Sequence, residues 1–316
     1  MNALLDAIAQ ATPGTDAQRL FHGRGGLHPG CEDWALDWYP PVWVLTRFGE
    51  ATEADTLAIG AALATRQAQI APGEPLNWVF QRRQPDGPVS RPITTVMAGA
   101  VPEPHVVTED GARYRVQVAR GQNHGLFLDM AEGRRWVRAH AAGAKVLNLF
   151  AYTAAFSVAA LQGGAREVIN LDMADGALAT GQHNHQLNGL SGRARFLAHD
   201  LWNSWGKLTR LGPYDLVIAD PPSFQKGSFV ATKDWPRLLR RLPDLLAPGG
   251  RALLCLNAPE LPERFLRDAL AAEAPSLLVE QRLPNPPAFA DAFPDRALKV
   301  LVVRAPGLDA PVVAPG

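Results

Sequence analysis

The sequence predicts an α/β protein: a mostly parallel seven-stranded sheet that closes on a terminal antiparallel hairpin, preceded by a small α+β domain. Three observations carry that expectation. The stretch from Lys145 to Asp172 reads as strand, tight turn, helix and second strand. Short apolar runs at 194–198, 214–219 and 251–257 then recur with helical patterns among them, as repeated βα units require. Two last strand runs, 277–283 and 297–304, are joined by the Pro-rich segment Pro284 to Pro294, which suits an antiparallel pair.

The chain has 316 residues, 47% of them hydrophobic and 20% charged, which allows two domains around sizeable cores. With 31 basic and 31 acidic side chains its net charge is zero, so any nucleic-acid contact must come from local patches. Cys31 and Cys255 lie far apart and match neither a disulfide framework nor a zinc spacing, and no metal site is expected. The start, MNALLDAIAQATPG, lacks the basic and apolar blocks of a secretion signal, and no apolar run reaches membrane-spanning length. A soluble, cytoplasmic protein is the expectation.

In chain order, residues 3–12 predict an amphipathic helix, followed by the loop from His22 to Gly30 with Arg24 in it, read as a glycine-rich turn. Trp34 to Tyr39 and Val42 to Phe48 predict strands, Glu53 to Gln69 a helix and Asn77 to Arg83 another strand leading to a turn at 84–87. Trp34, Trp38, Trp43 and Trp78 are expected in the core rather than stacked on bases, and Arg82 and Arg83 are phosphate contacts or a solvated turn. A hairpin through Glu109-Asp110-Gly111 follows, then Gly125 to Asp129, and a helix from Glu132 to His140 that Asp129 is placed to cap. Beyond Asp172 a helix runs to a C-cap at Asn188-Gly189, with His183 and His185 read as a solvated face. A helix is expected from Asp234 to Leu246, and the tail from Pro306 is expected to be disordered.

The strand ends carry the chemistry. A right-handed βαβ crossover brings the carboxyl ends of both strands to one sheet edge, where ligands bind. The turn from Asn148 to Ala155 contains no glycine, which disfavours a dinucleotide pyrophosphate. An adenosine cofactor without phosphates still wants Asp172 for its ribose hydroxyls, and S-adenosylmethionine fits that description; an ordinary βαβ unit with a surface Asp is the alternative. Asp200 ends the third strand, placed either to accept from an adenine amino group or to cap the next helix. Asp220-Pro221-Pro222-Ser223-Phe224 ends the fourth. Its two prolines stiffen the backbone, its carbonyls and Asp220 accept hydrogen bonds, and Phe224 offers a stacking face to a base.

GLFLD, VLNLFAYTAAFSVAA, GGAREVINLDMA, Leu187-Asn188-Gly189, DPPSF and LAPGG together resemble the class I S-adenosylmethionine-dependent methyltransferases, with their Rossmann-like sheet. Within that class they are most similar to bacterial 23S ribosomal RNA base methyltransferases. The resemblance covers about residues 105–304 and implies an N-terminal segment 1–30, a small substrate domain 31–104, a catalytic domain 105–305 and a tail 306–316. It implies that Asn148, Phe150 and Tyr152 line the methionine side of the cofactor, and that Asp172 with Met173 holds the ribose. Asp200 with Leu201 would meet the adenine, and Phe127, Asp129 and Arg134 would cover the cofactor. Asp220, Pro221 and Phe224 would hold the target base, with Asp220 also at the cofactor; Lys299 matches a family lysine of open role.

Three departures shape the expected chemistry. Ala154 and Ala155 stand where the family has glycine, with methyl groups set to crowd the methionine carboxylate. Asn257 stands where the cytosine-C5 branch has its nucleophilic cysteine, which leaves transfer to a nitrogen, of guanine in the similar branch. The RNA-binding module of the cytosine branch is missing, so substrate capture falls to the small domain. The expected function is methylation of a ribosomal RNA base; the rivals are a small-molecule or protein methyltransferase and a non-catalytic RNA-binding relative.

Overall fold

The computed structural model describes residues 1–83, 92–190, 192–225 and 227–308. The predicted turn at 84–87 and the end of the predicted tail lie outside these residues. Two compact units emerge: Met1–Asp129 with Pro286–Pro294, and Met130–Asn285 with Asp295–Gly316.

The first unit contains α1 (Asn2–Gln10), β1 (Gln18–His22), β2 (Trp34–Tyr39), β3 (Val42–Phe48), α2 (Glu53–Ile70), β4 (Trp78–Arg83), β5 (Ile93–Ala98) and the hairpin β6 (His105–Glu109) and β7 (Ala112–Val116). Strands β1 to β5 form one sheet in sequence order, antiparallel except for β3 and β4, which α2 joins as a crossover. A capping box between Thr52 and Asp55 starts α2. Leu4, Ile8, Ile59 and Leu63 of the two helices form one core with Trp34, Trp38, Trp43 and Trp78, so these aromatics are packing residues. Sequence periodicity missed β1 and β5, the two edge strands, because an edge half in solvent needs little apolar alternation.

A second set of side chains in this sheet is polar and buried or half-buried. Arg19 makes a two-pronged ion pair with Asp37, and Tyr39 donates to the Leu126 carbonyl. Gln81 donates to the Gly121 carbonyl and meets His124, while Arg83 donates to Gln81 and to the Gln122 carbonyl. Arg83 is therefore a structural clamp on the 121–126 segment, and Arg82 pairs with Glu50.

The second unit contains α3 (Ala131–His140), β8 (Lys145–Leu149), α4 (Ala155–Gln162), β9 (Glu167–Asp172), α5 (Asp175–Leu187), β10 (Ala194–Ala198), α6 (Trp205–Leu211), β11 (Tyr214–Ala219), the short hairpin β12 (Phe224–Gln225) and β13 (Phe229–Val230), α7 (Ala231–Arg241), β14 (Leu246–Leu256), α8 (Glu263–Glu273), β15 (Leu278–Leu283) and β16 (Lys299–Arg304). The seven-stranded sheet runs β10-β9-β8-β11-β14-β16-β15. Its first five strands are parallel, and β16 inserts antiparallel between β14 and β15, as the sequence predicted for the terminal pair. Leu147, Leu149, Ile169, Leu171, Val217 and Leu254 share one core with residues of α6, α7 and α8.

Three local expectations are corrected here. The helix expected to reach Leu246 ends at Arg241, because Pro243 has no N–H to continue the helical hydrogen bonds and the Leu245 carbonyl accepts from Tyr214 N–H, turning the chain into the sheet. Helix α8 was not anticipated; only Leu266, Ala269 and Leu270 mark its buried face. The N-cap position of α3 falls on Met130, which makes no side-chain cap, and Asp129 precedes it in a 3-10 turn.

Candidate functional site

Chain order reverses across the β8/β11 pair: β9 and β10 lie on one side, β14 on the other. In open α/β sheets ligands bind at the carboxyl ends of strands beside such a switch point. The β8–α4 turn, the end of β9 and the Asp220 loop all meet that edge.

The β8–α4 turn is strained. Of the four described non-glycine residues with positive φ, three are Phe150 (55°), Tyr152 (47°) and Ala154 (56°). The end of β9 holds them: Asp172 Oδ2 accepts from Tyr152 N–H at 2.7 Å, its Oδ1 accepts from Ala174 N–H at 2.8 Å, and Ala151 N–H donates to the Leu171 carbonyl. Each carboxylate oxygen keeps a lone pair for a further donor. Helix α4 starts at Ala154 with no side-chain cap and no acid in its first turn, leaving amide donors for an anionic group. An acceptor for paired hydroxyls beside an uncapped helix start suits a nucleoside carrying an amino-acid carboxylate, and the turn offers no glycine nest for phosphate.

Ala154 answers the expected crowding in an unexpected way. It is fully buried, and a Cβ added to Gly181 on α5 would come within 2.9 Å of its methyl group. The methyl thus packs against α5 where that helix lacks a side chain. The left-handed backbone still costs an L residue about 1 kcal/mol. Ala154→Gly is expected to raise the unfolding free energy by about that amount, read by urea denaturation; a fall would mean that methyl packing outweighs backbone strain.

Beneath the turn runs a buried polar chain that the sequence reading missed. Asn148 Nδ2 donates to Asn170 Oδ1 (2.9 Å), Asn170 Nδ2 donates to Ser157 Oγ (3.0 Å), and Ser157 Oγ meets His185 Nε2 (2.9 Å). His185 Nδ1 lies 2.7 Å from the Gly181 carbonyl, which fixes Nδ1 as the donor and Nε2 as the acceptor for Ser157. His185 is 3% exposed, and burial lowers its pKa. The solvated face expected for His183 and His185 is therefore corrected for His185. Asn148 sits within this chain, 1% exposed.

The remaining predicted residues divide by environment. Phe150 is half-buried and meets Phe229 edge-on at 5.3 Å. Met173 is exposed, whereas Leu201 is a core residue. Asp200 Oδ1 accepts from Asn203 N–H and its carbonyl accepts from Ser204 Oγ, which closes the turn ahead of α6; the N-cap of that helix is Ser204, with no side-chain cap. Asp220 is half-buried at the end of β11, Pro221 is buried, and Phe224 is 70% exposed on the β12–β13 hairpin. Asn257 is exposed at the end of β14, and both cysteines are fully buried. Lys299 is also fully buried; its Nζ donates to the carbonyls of Ala258 (2.7 Å) and Asp295 (2.9 Å), tying the chain after β14 to the start of β16. Arg134 is buried on α3, while the exposed Phe127 and the half-buried Asp129 belong to the first unit, Asp129 within electrostatic reach of Arg19. Among the described residues no helix is long and apolar enough to cross a membrane.

Ribosomal RNA large subunit methyltransferase I of Aeromonas salmonicida is 33% identical over 187 residues, covering 57% of this chain and 47% of that protein. Ribosomal RNA large subunit methyltransferase K/L of a Psychrobacter species is 38% identical over 154 residues, 46% of this chain and 19% of the other. The chain thus spans about half the length of the first relative, or less than that of the second. A methyltransferase solved in complex with S-adenosylhomocysteine matches the fold with a TM-score of 0.81 at 23% identity, covering 96% of this chain and 81% of the other. An S-adenosylmethionine-dependent methyltransferase of Streptococcus mutans matches the fold at 0.79 and 24% identity, with the same coverage. The sequence profile of one family matches residues 18–304, and the chain therefore belongs to the S-adenosylmethionine-dependent methyltransferases.

Proposed function

We propose that this protein transfers the methyl group of S-adenosylmethionine to a base nitrogen, of guanine, in large-subunit (23S) ribosomal RNA in the cytoplasm. The observation that carries the reading is Phe224. A 70% exposed aromatic four residues after Asp220, on a hairpin at the switch-point edge, is a stacking surface for a base brought out of its helix. The names of the Aeromonas and Psychrobacter relatives support ribosomal RNA as the source of that base.

When bound, S-adenosylmethionine supplies an electrophilic methyl group on a sulfonium. Asp172 would accept from its ribose hydroxyls, and the uncapped start of α4 would receive its carboxylate. Asp220 and the carbonyls of the two following prolines, which have no N–H to offer, accept from the amino or ring N–H of the base. A base nitrogen bonding to that methyl carbon would break its bond to sulfur and leave S-adenosylhomocysteine, while Asp220 would stabilise the positive charge on the base and accept the proton the nitrogen gives up. Covalent attack by a thiol is disfavoured because Cys31 and Cys255 are both fully buried.

Asp172→Asn is expected to weaken S-adenosylmethionine binding by roughly 10- to 100-fold in calorimetry, the range for losing a charged hydrogen-bond acceptor. Unchanged affinity would remove Asp172 from the cofactor site. Nucleoside mass spectrometry of ribosomal RNA from cells with and without the gene tests the function itself. Loss of one methylated guanosine is the expected result, loss of a methylated cytidine would overturn the nitrogen assignment, and an unchanged profile would overturn ribosomal RNA as substrate.

A further inference from the structure

The small domain is a poor place to capture RNA. Its unit carries ten Lys and Arg against fifteen Asp and Glu, whereas the second unit carries twenty-one against sixteen. The excess is concentrated: between Leu201 and Arg241 seven Lys and Arg stand against three Asp. On α7, Lys233, Arg237 and Arg241 recur at four-residue spacing and are all exposed, so they share one helix face. Like charges so placed destabilise a helix, and a polyanion relieves them.

Aromatic rings interleave this stripe. The Arg237 guanidinium lies 3.9 Å from the centre of the Trp202 ring, and that of Arg241 lies 5.4 Å from the Trp205 ring. Stacking occupies the face of a guanidinium and leaves its N–H edge for phosphate. Arg241 also reaches Asp244, but Lys233 and Arg237 make no ion pair among the described residues.

The stripe is joined to the reaction edge. Trp202 Nε1 donates to the Ser228 carbonyl of the β12–β13 hairpin at 3.1 Å, and the Trp202 ring stacks on Phe229, 6.3 Å between centres at 14°. Phe229 in turn meets Phe150 of the β8–α4 turn. One aromatic series therefore runs from the strained turn, past the hairpin that carries Phe224, to the arginines of α7.

We propose that the Lys233–Arg237–Arg241 face of α7, with Trp202 and Trp205, is the track that holds the single-stranded RNA flanking the target base. Basic side chains alternating with aromatics are how proteins hold single strands without reading sequence. This rests on the proposed function and names the surface through which that site receives its substrate.

The test uses the full chain and two probes, a fluorescent oligouridine and protein-free large-subunit ribosomal RNA. Binding is titrated across salt, and transfer of labelled methyl groups into the ribosomal RNA is measured separately. Lys233→Ala and Arg237→Ala are each expected to reduce the slope of log affinity against log salt by about 0.7, which amounts to about fivefold weaker binding at 0.1 M relative to 1 M salt. Arg237→Lys should keep the slope yet bind more weakly, because the stacking is lost. Arg264→Ala on α8, beside Asp268, should change neither, and calorimetric S-adenosylmethionine binding should match the parent in every variant. Stripe variants that bind and methylate RNA like the parent overturn the track, leaving the stripe to an acidic protein partner, while the proposed function stands. RNA binding that depends on the stripe without any methyl transfer overturns the function and keeps the track.

Discussion

Replacing Asp220 with alanine is expected to lower the turnover of methyl transfer by about a hundred- to a thousandfold, the usual effect of deleting one group aimed at developing charge. Cofactor binding should stay measurable, because the strand-end carboxylate of Asp172 and the start of α4 belong to other elements of the edge. Asp220 sits between the last buried residue of β11 and Pro221, so its backbone is set by the sheet on one side and by two prolines on the other. Alanine keeps that backbone and removes only the carboxylate. Single-turnover kinetics with saturating cofactor separates the outcomes: a variant with parental turnover removes Asp220 from the reaction, and one that no longer binds cofactor makes it a binding residue instead.

Acid is expected to unfold the protein through His124. The side chain is 7% exposed, and burial, reinforced by Arg83 and Arg19, holds its pKa down to about 3 against an ordinary 6.5. Above pH 6.5 neither the folded nor the unfolded chain protonates this residue, and it contributes no pH dependence. As pH falls below that value the unfolded chain takes up a proton that the fold refuses, and stability drops by about 1.4 kcal/mol per pH unit until about pH 3, roughly 5 kcal/mol in all. His22, held down to about 4 by burial and by Arg19 and Arg24, acts in the same direction. Urea unfolding of the parent and of His124→Gln between pH 7.5 and 4.5 reads the difference. The variant should lose about 1.4 kcal/mol per pH unit of slope, and equal slopes in the two proteins would return His124 to its ordinary range.

Much of the second unit was legible because its strands are buried on both faces. VLNL, VINL, LVIA and LLCL stand out as apolar runs of strand length, and crossover handedness then fixes which ends share an edge. Asp172, Asp220 and Phe224 could be placed near that edge from sequence because each lies at such an end or just beyond it. The polar chain could not be named, although a signal was present. Asn148 and Asn170 interrupt two adjacent apolar runs and prove to be register partners in β8 and β9. Each looked like a lone polar residue, and only pairing shows that one satisfies the other. Ser157 and His185 join them from two different helices, a meeting that helical periodicity cannot foresee. The α7 stripe was missed for another reason: a net charge of zero averages an acidic unit with a basic one.

Ala154 and Gly181 have a bearing on the order in which this turn accepts change. Only one of the two positions has room for a methyl group: the turn carries the side chain and α5 goes without. Gly181→Ala made first drives two methyl carbons to 2.9 Å, whereas for the same change made after Ala154→Gly the nearest of the remaining contacts is the Thr153 carbonyl group at 3.2 Å, which asks for a shift of a few tenths of an ångström. The second substitution then gains the preference of a helix for alanine over glycine, about 1 kcal/mol. One route between the two arrangements is thus open and the other runs through a clash, so the pair is epistatic, and the same two mutations differ in their effects according to which comes first.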